Sequence, residues 1–508
     1  METILGIAGA LAAFDLELWL LLVVGIVVGL IVGVLPGLTF VMGVLLILPF
    51  TYGMSTHASI VLMLAVYLSG TYGGALTAIL LHIPGEPNNV PLLWDGYGMN
   101  KQGRAAEALG WVAVAALVGG LSSWFLLAFA ARPFANIALS FSSPEYFAIV
   151  LLGLTSVLAF TGRAVSKPLI SLIGGMLLAT IGVESVYGAV RYDFVDALRV
   201  GVEWVIVLIG IYALGEVISR FASGFSGGVE QQPGSVRTTI PSMRAIIQRS
   251  GSLGRGTLLG SVIGTVPGAG ATVGSFIAYG LEKQFGRYRR EVGVASPSGV
   301  VAPQAAATAT VAAAFIPLLV LGIPGSASTA VILGALLLHN VRPSPLIFTT
   351  QPELVYTIMG ALFVGLFLMF IIGILAAKPL IRMLRVPEQY VAAFVVLFAF
   401  IGAFALRNSM ADVWIMTGFA VLGFFMLRND YPLAPLVLGT ILGPLAERYF
   451  MTSMISFDND WTVFFTRPLS GTLMWIWVLV LVLLCIRVYR QSQHPPPPAE
   501  ERAVAGDV

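Results

Sequence analysis

The stretch GTLLGSVIGTVPGAGATVG, residues 256–274, restates one met near the start of the chain, GIVVGLIVGVLPGLTFVMG, residues 25–43. At a uniform offset of 231 residues, Gly25, Gly29, Gly33, Pro36, Gly37 and Gly43 fall on Gly256, Gly260, Gly264, Pro267, Gly268 and Gly274. A spacing shared by so many small residues reads as an internal duplication. Each copy is an apolar run with glycine every fourth residue, a Pro-Gly step, and then more apolar sequence without charge. Small residues at that spacing let helices pack closely in lipid, which is the reading taken for Gly25, Gly29 and Gly33. A Pro-Gly step inside a bilayer frees backbone groups that protein, water or a ligand must satisfy. Interrupted apolar segments at matching places in two halves point to a transporter binding site.

Composition agrees with a lipid environment. The 508 residues are 58% hydrophobic and 10% charged, with a mean hydropathy of +0.93, against about 25% charged residues in a soluble domain. The expected fold is an all-α polytopic membrane protein of about 10–14 spans, with helices broken or re-entrant at the Pro-Gly points. A net charge of +2 gives no basic surface, so no nucleic acid partner is expected. The single cysteine, Cys485, excludes an intramolecular disulfide and a cysteine-ligated cluster. The histidines at 57, 82, 339 and 494 have no metal-pair spacing. No G-x-S-x-G, H-E-x-x-H or Walker motif occurs, so the chain is not read as an enzyme. Without a basic n-region ahead of it, the apolar run from Leu18 is read as a retained helix rather than a signal peptide.

Apolar runs over 18–35, 60–83, 105–130, 144–160, 168–183 and 202–218 place a first membrane repeat within 1–218. A basic, Gly-rich linker follows over 219–255, carrying Arg220, Arg237, Arg244, Arg249 and Arg255. Runs over 258–279, 300–321, 328–338, 356–376, 390–404, 413–427, 433–445 and 473–488 place the second repeat within 256–490. The Pro-rich tail 491–508 is disordered by composition. The first residues hold Glu2, Asp15 and Glu17 but no Lys or Arg, whereas Lys283, Arg287, Arg289 and Arg290 cluster after the second glycine stretch and Arg487 and Arg490 close the last run. By the positive-inside rule the N-terminus is outside and the C-terminus inside, and the two repeats are inverted.

Four Pro-Gly points organise the candidate site. In the first half they are Pro36-Gly37 and Pro84-Gly85, with Thr39, Thr71, Gly73 and Thr77 near them. In the second they are Pro267-Gly268 and Pro324-Gly325, with Thr272, Ser326 and Thr329. These residues are the expected substrate contacts, through backbone N–H and carbonyl groups, hydroxyls and the positive ends of half-helices. Candidate ion-coupling residues are His82, Glu86, Asn88, Gln304 and Thr308. The polar block 82–103 has two readings: a re-entrant tip lining the substrate path, or a solvent loop with Trp94 and Tyr97 as interface anchors.

Several long motifs carry a resemblance: GVLPG from Gly33, YGGALTAILLHIPG from Tyr72, GTVPGAGATVGSFIAYGLEK from Gly264, GIPGSASTAVILGALLLHNVRPSPLIF from Gly322 and YPLAPLVLGTILGPLAE from Tyr431. In these the chain resembles the large membrane subunit of the tripartite tricarboxylate transporters. The resemblance implies a secondary active transporter of citrate-like or other organic acids in the bacterial inner membrane. It further implies a small four-span membrane subunit, a periplasmic solute-binding protein, and Na+ or H+ as the coupling ion with no other cofactor. The family pattern has an acid and two amides where this chain has Gln304, Ala307 and Thr308, and an Asn where it has His82. The alternatives are a passive pore for small anions, or an exporter or carrier of a solute that is not a tricarboxylate.

Overall fold

The computed structural model describes residues 2–35, 38–160, 165–184, 186–192, 194–224, 238–268, 270–383 and 386–493. Pro36, Gly37, residues 225–237 of the expected linker and the tail from His494 lie outside the described residues. Among the described residues the fold is all-α but for one two-stranded ribbon, Gly182–Val183 with Val190–Arg191. Among the described residues nine helices are long and apolar enough to cross a membrane.

Two of those helices, Thr56–Leu81 and Pro297–Leu321, are buried along their whole apolar length and form the centre of the molecule. Both are apolar on every side, the pattern of a helix surrounded by protein. Each is flanked by a helix of the glycine stretches. On Leu16–Val34, Gly25 lies on Leu62 and Ala65, and Gly33 on Gly70 and Gly73. On Ser250–Gly264, Gly256 lies on Ala302, and Gly264 on Thr310 and Ala313. Residue numbers rise together in each pair, so the paired helices run parallel, and a Cβ at any of these glycines would enter the neighbouring helix. After the Pro-Gly points the chain re-forms helix at Phe40–Ile47, where Gly43 meets Val32, and at Gly270–Phe285, where Gly274 sits beside Gly260.

The two flanking pairs begin on opposite faces. One face gathers the cations around 283–290: Arg104 reaches the Ala295 carbonyl, and Arg249 stacks on Tyr288 and bonds Ser298. Ser250–Gly264 and Pro297–Leu321 start on this basic face. Across the molecule Ser59 bonds His339, Gly6 abuts Tyr356, and Glu145 pairs with Arg467 at 3.0 Å. Thr56–Leu81 and Leu16–Val34 start there.

Boundaries differ from the sequence reading where a helix continues past its apolar run. The run expected over 105–130 extends as Ala105–Ala138 with Pro133 inside, and that expected over 356–376 extends as Pro352–Met383 with Pro379 inside. Apolar neighbours hold such helices through a missing hydrogen bond. Helix also enters the expected linker from both sides, ending at Ser223 and resuming at Met243–Gln248 and Ser250.

Candidate functional site

The first break follows Thr56–Leu81. His82 takes the left-handed conformation (φ 60°, ψ 27°) and the Ile83 N–H reaches back to the Thr77 carbonyl at 3.5 Å. Gly85 then presses on the Gly33 carbonyl and the Gly74 backbone with no room for a side chain. Glu86, 2% exposed, accepts a hydrogen bond from the Phe40 N–H, while the Thr39 hydroxyl accepts from Met42 N–H at 3.2 Å. The start of Phe40–Ile47 is therefore capped by a hydroxyl and a carboxylate, the groups that complement its positive end. Asn88 donates to the Thr71 carbonyl at 3.5 Å and to the Asn89 side-chain oxygen at 3.4 Å. Asn88 Oδ1 and Asn89 Nδ2 are buried with no protein partner. Thr71 and Thr77 are buried and donate to carbonyls three residues back, and Gly73 touches the Leu30 carbonyl. Pro84 is half-buried.

The second break repeats the outline with other groups. Pro297–Leu321 ends at Gly322 in the left-handed conformation (φ 68°, ψ 22°), and Ile323 N–H reaches the Pro317 carbonyl at 3.2 Å. After the buried Pro324, Gly325 sits against Ala314 and the Gly264 carbonyl, and its own carbonyl accepts from Gly268 N–H at 3.0 Å. The Pro267 carbonyl accepts from Ser156 at 2.6 Å. Ser326 and Thr329 cap Ala327–Leu338 reciprocally: Thr329 N–H donates to Ser326 Oγ at 3.2 Å and Ser326 N–H to Thr329 Oγ1 at 2.8 Å. Thr272 is half-buried near this point, and the buried Ser328 hydroxyl has no protein partner.

Tyr67, from the middle of Thr56–Leu81, joins the two breaks. Its hydroxyl lies 3.2 Å from Ser326 Oγ and its ring 5.5 Å from the Phe40 ring. It was not among the sequence candidates, because a tyrosine inside an apolar run reads as packing. Arg220 was missed as a site residue for the opposite reason, since its number placed it in the linker. It pairs with Glu216 at 3.0 Å and Glu388 at 3.7 Å beside a cavity of about 20 Å³ that Leu38 and Met42 also line. Gln304 donates to Thr308 at 3.2 Å on the face of Pro297–Ala313 toward Gly120, and Gln304 Oε1 is buried without a protein partner.

The solvent-loop reading of block 82–103 is corrected. Residues 87–101 form a 3-10 turn, Pro87–Asn89, and a helix, Val90–Lys101, packed on both buried helices. Asp95 is fully buried and accepts from Ser296 N–H at 2.7 Å, Gly293 N–H and Tyr279 Oη at 2.9 Å, while Ser275 donates to the Asn88 carbonyl at 2.6 Å. A carboxylate satisfied by two backbone donors and a phenol ties the first-half segment to the second half. Trp94 is exposed at its edge and packs on Tyr279 with ring centroids 4.7 Å apart.

The family profile described as the tripartite tricarboxylate transporter TctA family matches residues 19–438. An uncharacterized 52.8 kDa protein in the TAR-I ttuC' 3' region of Agrobacterium vitis is 33% identical over 454 residues, covering 89% of this chain and 90% of that one. An uncharacterized protein in the TAR-II ttuC' 3' region of the same organism is 35% identical over 215 residues, 42% of this chain and 89% of that protein. No solved structure matches the chain.

Proposed function

The chain belongs to the TctA family of tripartite tricarboxylate transporters, and from that premise we propose that it imports an organic carboxylate through the bacterial inner membrane by ion-coupled alternating access. It is a multi-pass membrane subunit of such a transporter. The reading adds a small four-span membrane subunit and a periplasmic solute-binding protein that delivers the acid. Its two halves are inverted repeats, each with two re-entrant breaks. In support, the flanking helix pairs start on opposite faces, and Gly85 meets Gly33 in one half as Gly325 meets Gly264 in the other.

One observation carries the assignment: Tyr67 bridges Phe40, which follows one half's glycine stretch, and Ser326 at the other half's second break. The first turn of Ala327–Leu338 lies there with the N–H groups that the Ser326–Thr329 cap does not take, and helix N-termini attract carboxylates without a buried arginine. Thr39, Ser326 and Thr329 supply the hydroxyls. Glu86, Asn88 and Asn89 form the first half's polar pocket, with acceptor oxygens suited to a Na+ ion or a proton. Movement of one half against the other breaks the Tyr67–Ser326 contact and exposes the site to the other face in turn.

The test is uptake of labelled di- and tricarboxylates into proteoliposomes holding the chain and its partners. Uptake is expected to require an imposed Na+ or proton gradient and to fall at least tenfold in Glu86→Gln. Uptake that proceeds without a gradient, at rates orders of magnitude above carrier turnover, would make the protein a pore.

A further inference from the structure

A large cavity lies away from the breaks, on a flank shared by the end of the first half and the second half. It is a groove of about 760 Å³ between Ser166–Leu178, the stretch 180–198, Met410–Arg428 and the start of Leu433–Ser456. Leu177, Leu178, Leu422, Phe425 and Leu436 give it an apolar lining. Its long axis follows a helix of 13 residues, about 20 Å at 1.5 Å per residue, which is most of one leaflet and more.

Lys167, Ser171, Gly174 and Leu178 follow one another along one face of Ser166–Leu178, and the last three line the groove. Ser143–Phe160 leaves the face where Glu145 pairs with Arg467, so Ser166 starts near the basic face. There Lys167 donates to the Asn429 carbonyl at 2.7 Å and lies 5.4 Å from the centre of the Tyr431 ring, next to the exposed Arg428. One turn deeper is Ser171, 3% exposed, a residue of the groove wall whose buried hydroxyl has no protein partner. A further turn down is Gly174, where an added Cβ would meet nothing within 4 Å, and then Leu177 and Leu178. A cation with an aromatic ring at the interface, a lone donor about 6 Å below it, and an apolar slot beneath follow the order of phosphate, ester and acyl chain in a phospholipid. A buried hydroxyl without a partner costs free energy, and an ester carbonyl supplies the missing acceptor.

We propose that this groove is a binding site for one anionic phospholipid, with its phosphate at Lys167, an ester carbonyl on Ser171 and acyl chains along Gly174 and Leu178. The site lies on the flank opposite in role to the transport path: it holds lipid as a fixed part of the protein surface. Spacing at 167, 171, 174 and 178 keeps all four residues on one stripe of the helix.

The test is native mass spectrometry of the full-length chain released from nanodiscs of phosphatidylglycerol mixed with phosphatidylcholine. One phosphatidylglycerol is expected to stay bound, preferred over phosphatidylcholine by roughly fivefold, the effect of a single cation near the membrane surface. Gly174→Trp fills the open slot and abolishes retention, and Lys167→Gln erases the head-group preference. The wild type holds diester phosphatidylglycerol roughly fivefold better than its diether analogue, and Ser171→Ala removes that difference while leaving the fold intact. Equal retention of both head groups by the wild type, undiminished retention by Gly174→Trp, or a copurifying polypeptide displaced by Gly174→Trp would each overturn the proposal.

Discussion

The two breaks that end the buried helices share a backbone and differ in chemistry. At the first, a carboxylate and two asparagines follow the Pro-Gly step, and a histidine occupies the left-handed position. At the second, a serine and a threonine follow it, and glycine occupies that position. The first therefore buries an acid and holds a left-handed residue with a Cβ, whereas the second carries hydroxyls and a left-handed glycine. On the proposed function the halves do unequal work, with the ion or proton at Glu86 and the substrate's hydroxyl contacts at Ser326 and Thr329.

The comparison is broken most forcefully at its tightest point. Gly85→Ala drives a methyl into the Gly33 carbonyl and the Gly74 backbone, neither of which is a flexible side-chain end. The expected result is loss of about 3 kcal/mol or more, read as little monodisperse protein on size-exclusion. Gly325→Ala meets Ala314 Cβ and the Gly264 carbonyl at 2.8 Å and should be recovered in higher yield. Equal yields would mean the halves are packed alike at their breaks.

Next in size is Glu86→Gln, which replaces the buried carboxyl acceptor of the Phe40 N–H by an amide. About 1.5–3 kcal/mol is at stake, against about 1 kcal/mol for Thr329→Val at the second-half cap. Thermal unfolding in detergent should rank Glu86→Gln as the less stable. The reverse order would move the charged centre of the account away from Glu86.

His82→Gly makes the first break resemble the second. A left-handed residue with a Cβ costs about 1–2 kcal/mol, so the variant should unfold at a higher temperature than the wild type. A lower one would show that His82's ring contact with Tyr97, 4.4 Å between centroids, outweighs the backbone cost. Tyr67→Phe is the smallest change: about 1 kcal/mol or less in stability, with a larger fractional loss of uptake because only the contact between the halves is touched.

Glycine periodicity and the Pro-Gly steps are local signals: Gly25, Gly29 and Gly33 read as packing positions, and helix ends ahead of Pro84, Pro267 and Pro324. Contacts that close the site are not local. Glu86 caps a helix 46 residues upstream, and Tyr67 meets Ser326 across 259 residues. Nothing in the neighbourhood of either residue marks that role, because an acid after a Pro-Gly step also reads as a loop acid. Asp95 shows the same limit: its burial comes from Tyr279, Gly293 and Ser296, all in the other half. The helices that carry Pro133 and Pro379 run past the ends of their apolar runs, where tertiary packing holds helix through a proline and a charged residue.

The central claim is that the site between the halves opens to each face in turn. It is tested by placing one thiol at its centre, Ser326→Cys with the exposed Cys485→Ser. In oriented proteoliposomes, an impermeant maleimide should label this position from both faces, with the ratio shifted by the ion gradient and the rate slowed by a transported carboxylate. Labelling confined to one face, at a rate that neither gradient nor carboxylate changes, would contradict the account.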